Sequence, residues 1–179
     1  NNSANFYIEI IDGRQKILIA NKAPHPDIGA LQYVIEKNKN YEVTVSNIKE
    51  ATDLNKYDLI IIHNYEKSNN RLNEYIEAGS GPVLFFVGTE ADFSGLTDLK
   101  IGFTGRASGS ESVQFSYNAN FKDILLPAKG IQVFSAAPPL EAPFGSINFS
   151  KAIDVMAYQK VGNISLNQPL IYFSQKRDS

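Results

Sequence analysis

The strongest constraint on the fold is a series of four short apolar segments separated by longer, more polar ones. These segments are residues 16–20, 41–45, 57–63 and 82–88. Each has the length of one strand and few charged residues, as in strands that are buried on both faces of a parallel sheet. Parallel neighbours need a crossover connection, so the polar segments between them are expected to contain helices.

Two of the intervening segments show helical spacing. The first is predicted to begin with Asp27 as its N-cap, and its apolar face consists of Ile28, Leu31, Val34 and Ile35. The second is predicted to end at Gly79, and its apolar residues are Leu72, Tyr75 and Ile76. We therefore predict an α/β fold with a doubly wound, mostly parallel sheet in the flavodoxin-like strand order 2-1-3-4.

The chain is predicted to form a single domain over residues 1–179, with two parts of different character. Residues 1–100 form the βαβ core, which is preceded by a short strand at residues 6–11. Residues 101–179 form a β-rich extension, whose antiparallel strands are added to the edge of the core or extend toward a neighbouring domain. Its predicted loops are residues 102–109 and 138–145, and its predicted strands are residues 112–117, 153–161 and 166–173.

The composition removes several classes of function. The chain has no Cys, which excludes a disulfide, a thiolate nucleophile and a zinc–thiolate site. Its net charge of −2 argues against a dedicated nucleic-acid binder. No apolar run approaches the roughly 20 residues that a membrane-spanning helix needs. We therefore expect neither a nucleic acid nor a membrane to be a direct partner of this domain.

The ends of the sequence suggest a piece of a longer protein. The chain begins at Asn1 without an initiator Met and ends at Ser179 soon after an apolar segment. We expect it to be an excised domain, so that a signal peptide or a membrane anchor would lie outside this sequence.

Both histidines lie where an open α/β sheet binds its ligands. Such sheets bind ligands beyond the carboxyl ends of their strands. His25 lies in the loop after the first strand of the core, and His63 is at the end of the third. Asp27 and Asn64 are close to them in the sequence. Two imidazoles and a carboxylate suit a metal site or an acid/base site. His25, Asp27, His63 and Asn64 are therefore the predicted ligand-binding residues.

A structural interpretation of the same residues stays open. Asp27 then only caps its helix, His25 is a surface loop residue between Pro24 and Pro26, and His63 marks the end of a strand. No motif of fixed spacing, such as His-Glu-x-x-His, links the three residues. On these grounds the sequence predicts no metal and no cofactor.

The third and fourth strands carry a resemblance to a known family. An apolar strand at residues 57–62 is followed by a polar loop, a short helix and the segment GPVLFFVG at residues 81–88. Over residues 16–100 this layout resembles the class I glutamine amidotransferase-like fold. In that family the second segment reads Pro-hydrophobic-Leu-Gly-Ile-Cys-x-Gly, with the nucleophilic cysteine at a strand-to-helix elbow.

The catalytic residues of that family do not transfer to this chain. The cysteine position falls on Val87, or on Gly88 if the elbow shifts by one residue, and neither residue can attack a carboxamide. The late His-x-Glu of the family has no counterpart, because no His follows His63. A thiolate–imidazole pair needs both members, so glutaminase activity is excluded.

The sequence as a whole resembles uncharacterised bacterial proteins that carry such a domain in a larger, membrane-anchored chain outside the cytoplasm. The segments that carry this resemblance are residues 16–20, 24–31, 40–43 and 137–140. It implies a periplasmic or cell-surface location. The implied partners are other domains of the same chain, another protein or a small ligand.

These observations leave three hypotheses for the function. We predict a non-catalytic amidotransferase-like domain that acts as a binding or interaction module in a larger bacterial protein. The alternative is a metal-dependent or acid/base hydrolase that uses His25, Asp27 and His63. The third is a structural spacer whose only partner is the rest of its own chain. Imidazoles more than ~8 Å apart would argue against a shared metal, whose ligands lie about 2.0–2.1 Å from it.

Overall fold

The structure of the protein, a computed structural model, describes residues 13–124 and 126–174. The strand predicted at residues 6–11 lies outside these ranges. In chain order the elements are β1 (Gln15–Asn21), α1 (Pro26–Glu36), β2 (Tyr41–Asn47), β3 (Leu59–His63), α2 (Asn70–Ala78), β4 (Val83–Phe86), α3 (Phe93–Asp98), β5 (Phe103–Tyr117), α4 (Ala128–Ser135), β6 (Leu140–Phe149), β7 (Asp154–Val161) and β8 (Ile164–Phe173). Two single-turn 3-10 helices connect β2 to β3.

The first four strands form a parallel sheet with the order β2-β1-β3-β4. All three of its pairings are parallel, which confirms the predicted parallel sheet. Ile17 in β1 lies beside Val43 of β2 and beside Leu59 of β3. The carboxyl ends of the strands therefore meet at one edge, where Asn21 pairs with His63.

Helices pack on both faces of the parallel sheet, because neighbouring residues of a strand point to opposite faces. The face toward α2 and α3 buries Leu18, Ile60, Ile62, Leu72, Ile76 and Leu96. The face toward α1 buries Ile17, Ile19, Ile28 and Ile61. Each such side chain stabilises the fold by about 1.5–3 kcal/mol. Within the described ranges, no helix is long and apolar enough to cross a membrane.

The edge of the parallel sheet is less buried than the sequence predicts. Residues 82–88 are predicted to form a buried strand, but β4 is an edge strand in which Leu84 is 43% and Phe86 is 37% exposed. The apolar cluster under α1 contains residues of β1, β2 and β3 but none of β4.

Val34 is predicted on the buried face of α1, yet it is 62% exposed. Successive helical residues point about 100° apart, so Val34 turns away while Ile35 packs on the sheet.

The C-terminal part forms a second, antiparallel sheet with the order β6-β5-β7-β8. The predicted antiparallel strands are thus confirmed, but they form a sheet of their own instead of extending the first one. One end of the second sheet packs on the core of the first, where Phe103 of β5 belongs to the same buried cluster as Leu96 and Leu99.

Two segments that the sequence predicts to be loops are strands. β5 covers nearly all of the glycine-rich segment 102–109, and β6 includes Pro143 and Gly145. Pro143 is tolerated because β6 is an edge strand, and Gly145 allows β5 to approach closely. The sequence does not predict the helices α3 and α4, because each is short and contains a glycine, which disfavours a helix.

Candidate functional site at the carboxyl edge of the parallel sheet

His63 is held in place by the parallel sheet. It is the last residue of β3 and lies between Asn21 of β1 and Phe86 of β4 in the register. The His63 carbonyl accepts a hydrogen bond from the backbone N–H of Lys22 at 3.3 Å. Because His63 is only 5% exposed, the neighbouring strands fix its position.

His25 and Asp27 are brought to the same edge by the beginning of α1. Pro26 is the first residue of this helix, a position that suits its fixed φ angle and its missing N–H. A proline also restricts the residue before it to extended backbone, and His25 has φ −147° and ψ 144°. The short loop after β1 therefore places His25 and Asp27 on either side of a fixed corner.

The N-cap of α1 is His25 and not Asp27, the residue that the sequence predicts. Nδ1 of His25 accepts a hydrogen bond from the backbone N–H of Asp27 at 3.2 Å. Pro26 begins the helix, so the N-cap is the residue before it. Asp27 lies in the first turn, where its negative charge interacts favourably with the positive end of the helix dipole. Because Nδ1 accepts this bond, the proton of a neutral His25 ring lies on Nε2.

The three side chains form one compact group, which we call the His–Asp–His cluster. Oδ2 of Asp27 lies 3.4 Å from Nδ1 of His25 and 3.6 Å from Nε2 of His63. The two imidazole rings are 4.8 Å apart between centroids, with an angle of 34° between their planes. One nitrogen of each ring and one carboxylate oxygen lie within 4.8 Å of one another. A single ion or ligand atom can therefore contact all three residues.

The His–Asp–His cluster is buried on one side and open on the other. The side chain of His63 is 6% exposed, whereas those of His25 and Asp27 are 47% and 63% exposed. Burial lowers the pKa of His63 below 6.5, and the charge of His25 lowers it further, while the hydrogen bond to Asp27 opposes both effects. His63 is therefore neutral at pH 7, and a neutral imidazole is able to accept a proton or bind a metal.

The lowered pKa of His63 predicts that the stability of the metal-free protein rises with pH. His63 has its ordinary pKa of 6.5 in the unfolded chain and a lower pKa in the folded protein. Between these two pKa values the unfolded state therefore binds more protons than the folded state. The contribution of His63 to the free energy of unfolding is fully present above pH 6.5 and is lost as the pH falls through its pKa in the folded protein. Urea denaturation from about pH 5 to pH 8 with EDTA measures this slope. We expect His63→Gln to flatten it; an unchanged slope in that variant would contradict the assignment.

Asn64 follows His63, but its side chain bonds to the loop after β4. Its backbone is left-handed, with φ 54°, and its Oδ1 accepts a hydrogen bond from the N–H of Gly88 at 2.8 Å. Its own N–H donates to the carbonyl of Phe86 at 2.9 Å. Asn64 therefore joins the end of β3 to the loop after β4, and the structure does not bring it together with the three cluster residues.

Replacing Asn64 by alanine is expected to destabilise the protein by about 1–2 kcal/mol. The change removes the hydrogen bond to Gly88 and leaves a residue with a poor tolerance of left-handed backbone. Asn64→Gly removes the same bond but accepts the backbone conformation, so it should cost less. Urea denaturation compares the two variants. If Asn64→Ala instead weakens ligand binding as strongly as His63→Gln, then Asn64 belongs to the binding site.

The two positions predicted for a lost nucleophile lie in the loop after β4. Val87 packs against the apolar core, and the N–H of Gly88 is bound by Asn64. The helix α3 begins only at Phe93, with Asp92 as its N-cap. β4 therefore does not turn directly into a helix, and Val87 and Gly88 do not stand at a sharp strand-to-helix elbow.

The sequence predictions missed the residues that hold the loop between β1 and α1. Nδ2 of Asn47 donates to the carbonyl of Lys22 at 3.1 Å, and Nδ2 of Asn21 donates to the carbonyl of Ser46 at 3.1 Å. Nζ of Lys22 donates to the carbonyl of Glu90 at 2.7 Å. The available signal is an asparagine as the last residue of both β1 and β2.

Comparisons with known proteins identify no relative, so the function is argued from the geometry of the site. No family model matches the sequence, and no similar protein was found among curated proteins or among solved structures.

Proposed function

We propose that the domain is a binding module whose ligand is held at the His–Asp–His cluster. The observation that carries this proposal is the convergence of residues from two separate chain segments at the carboxyl edge of the parallel sheet. Open α/β sheets bind ligands at this edge. The buried ring of His63 gives the cluster a rigid base, and the exposed side chains of His25 and Asp27 leave it accessible to a ligand.

We further propose that the parallel sheet is flavodoxin-like and related to the class I glutamine amidotransferases. The strand order β2-β1-β3-β4 supports this proposal, and the absence of Cys makes the domain non-catalytic for amide transfer. In this proposal the domain belongs to a larger bacterial protein outside the cytoplasm. Its partners are the other domains of that chain, another protein or a small ligand.

A hydrolase is the second candidate function. His63 is neutral at pH 7 and lies 3.6 Å from the carboxylate of Asp27. Such a carboxylate orients an imidazole and stabilises its protonated form, which favours general-base catalysis. The exposed sides of Asp27 and His25 would admit a substrate.

Thermal unfolding in the presence of defined probes tests the binding module. The probes are zinc chloride, magnesium chloride, sodium phosphate, sodium acetate and glutamine, each at millimolar concentration. A ligand that binds only the folded state raises the Tm. We expect at least one probe to raise the Tm of the wild-type chain and to lose this effect in Asp27→Asn. The matched control Glu141→Gln removes an exposed carboxylate of β6 and should respond like the wild type.

The proposal is wrong if none of the five probes shifts the Tm, or if Asp27→Asn responds as the wild type does. A turnover assay then separates the two candidate functions. The binding module predicts no release of nitrophenol from p-nitrophenyl acetate or phosphate above that of buffer. Release that disappears in His63→Gln would establish the hydrolase instead.

A further inference from the structure

The donor atoms of the His–Asp–His cluster favour one class of ligand. Two of the three donors are imidazole nitrogens, which bind Zn²⁺ and related d-block ions, whereas Ca²⁺ and Mg²⁺ take mainly oxygen ligands. An anion would be repelled by the carboxylate of Asp27, which has one oxygen within 3.6 Å of a nitrogen of each ring. A cation that accepts both nitrogen and oxygen donors satisfies all three residues at once.

We infer that His25, Asp27 and His63 bind a divalent d-block metal ion, of which Zn²⁺ fits best. The inference rests on the proposed binding function and names the ligand of that site. The sequence alone predicts no metal here, because no motif of fixed spacing joins the three residues; the fold supplies the juxtaposition.

The distances within the cluster are close to those of a tetrahedral zinc site. Ligand atoms that lie about 2.0–2.1 Å from a tetrahedral ion are about 3.3–3.4 Å from one another. Oδ2 of Asp27 is 3.4 Å from the His25 nitrogen and 3.6 Å from the His63 nitrogen. All three donor atoms lie within 4.8 Å of one another, so the two imidazole nitrogens need to approach each other by at most about 1.5 Å. The half-exposed ring of His25 has the freedom to make this movement, while the buried ring of His63 stays fixed.

Three protein ligands leave one coordination position of a tetrahedral ion open. The open position faces solvent, because Asp27 and His25 are the exposed members of the cluster. Asp27 neutralises only one of the two positive charges of the ion. The fourth ligand is therefore water or an anionic oxygen donor of a bound molecule, such as a carboxylate.

Metal binding is coupled to the first turn of α1. Nδ1 is the His25 nitrogen that lies 3.4 Å from the carboxylate of Asp27, and it already accepts the hydrogen bond from the Asp27 N–H. A metal ion takes the same lone pair, so this N–H loses its partner when the ion binds. The backbone amide signal of Asp27 should therefore shift in the NMR spectrum, which an ion bound elsewhere on the surface would not cause.

Titration of the EDTA-treated 179-residue chain with Co²⁺ and Zn²⁺ tests the inference. The protein is prepared without a histidine tag, so that His25 and His63 are its only imidazoles. Four-coordinate Co²⁺ has much stronger visible absorption than the hydrated ion, which reports the geometry. Calorimetry gives the affinity for Zn²⁺. We expect one ion per chain and a shift of the Asp27 amide signal.

Three substitutions remove one donor each. His63→Gln and Asp27→Asn should each weaken Zn²⁺ binding by more than about 100-fold, since the loss of an outer-sphere partner alone costs about 10–100-fold. His25→Asn removes the imidazole but keeps an N-cap oxygen for the Asp27 N–H, so it tests the metal ligand without removing the helix cap. Glu141→Gln should bind like the wild type.

The outcomes separate this inference from the proposed function. If neither Co²⁺ nor Zn²⁺ binds, but acetate, phosphate or glutamine raises the Tm of the wild type and not of Asp27→Asn, the metal assignment fails and the binding module stands. If no probe of any kind binds, both fail. Zn²⁺ binding that is unchanged in His63→Gln, Asp27→Asn and His25→Asn places the ion elsewhere and also overturns the metal assignment.

Discussion

Gly145→Ala is expected to separate β5 from β6 and to destabilise the protein by about 3 kcal/mol, the upper end of the usual cost of overpacking. A Cβ atom at this position would overlap the backbone carbonyl of Arg106 and lie 2.8 Å from Cα of Ala107. Both atoms belong to the backbone of the paired strand β5, so no side chain can move aside. Urea denaturation at constant pH measures the change.

Gly29→Ala is the matched control for this prediction. Gly29 lies inside α1, and a Cβ atom there meets nothing within 4 Å. Alanine is the better helix former by about 1 kcal/mol, so this variant should be slightly more stable than the wild type. A Gly145→Ala protein as stable as the wild type would show that β5 and β6 do not approach as closely as described.

Asn69→Ala is expected to cost about 3 kcal/mol, because one buried side chain connects three backbone groups. Its Nδ2 donates to the carbonyls of Ile48 at 2.8 Å and Ala51 at 2.9 Å. Its Oδ1 accepts from the N–H of Leu72 at 3.2 Å and so caps α2. Each buried group that loses its partner costs about 1–3 kcal/mol, and the lost cap costs about 1 kcal/mol, with partial overlap between these effects.

The neighbouring Asn70 provides the control for Asn69. It is exposed and is the first residue of α2, so Asn70→Ala should change the free energy of unfolding by less than about 0.5 kcal/mol. Chemical denaturation of both variants gives the comparison. Equal effects of the two substitutions would mean that the hydrogen bonds from Asn69 to the carbonyls of Ile48 and Ala51 contribute little to stability.

The parallel sheet could be predicted from the sequence, because its two central strands, β1 and β3, are buried and form continuous apolar runs. The location of the candidate site can be predicted by the same reasoning, since His25 follows β1 and His63 ends β3, and the carboxyl ends of these two strands meet at one edge. The distance between the two histidines could not be predicted. It depends on the direction in which α1 leaves the sheet, and this direction is set by Pro26 and by hydrogen bonds from Asn47 and Lys22 to backbone carbonyls.

The sequence predictions are wrong where tertiary contacts override the local structural preference of the residues. β6 contains Pro143 and Gly145, which usually indicate a loop, but an edge strand tolerates the first and the approach of β5 requires the second. Asn69 lies in a polar stretch in which nothing distinguishes it from Asn70. Only the fold shows that one is buried against two carbonyls and the other faces solvent.

The prolines on either side of His25 also affect the chain before it folds. Pro24 and Pro26 each fix a φ angle, so the unfolded chain has fewer conformations at this point, and less entropy is lost when the loop becomes ordered. A receptor that is ordered in advance loses less binding free energy when its ligand arrives. In the proposed binding module, Pro24 and Pro26 would therefore raise the affinity of the His–Asp–His cluster for its ligand without contacting that ligand themselves.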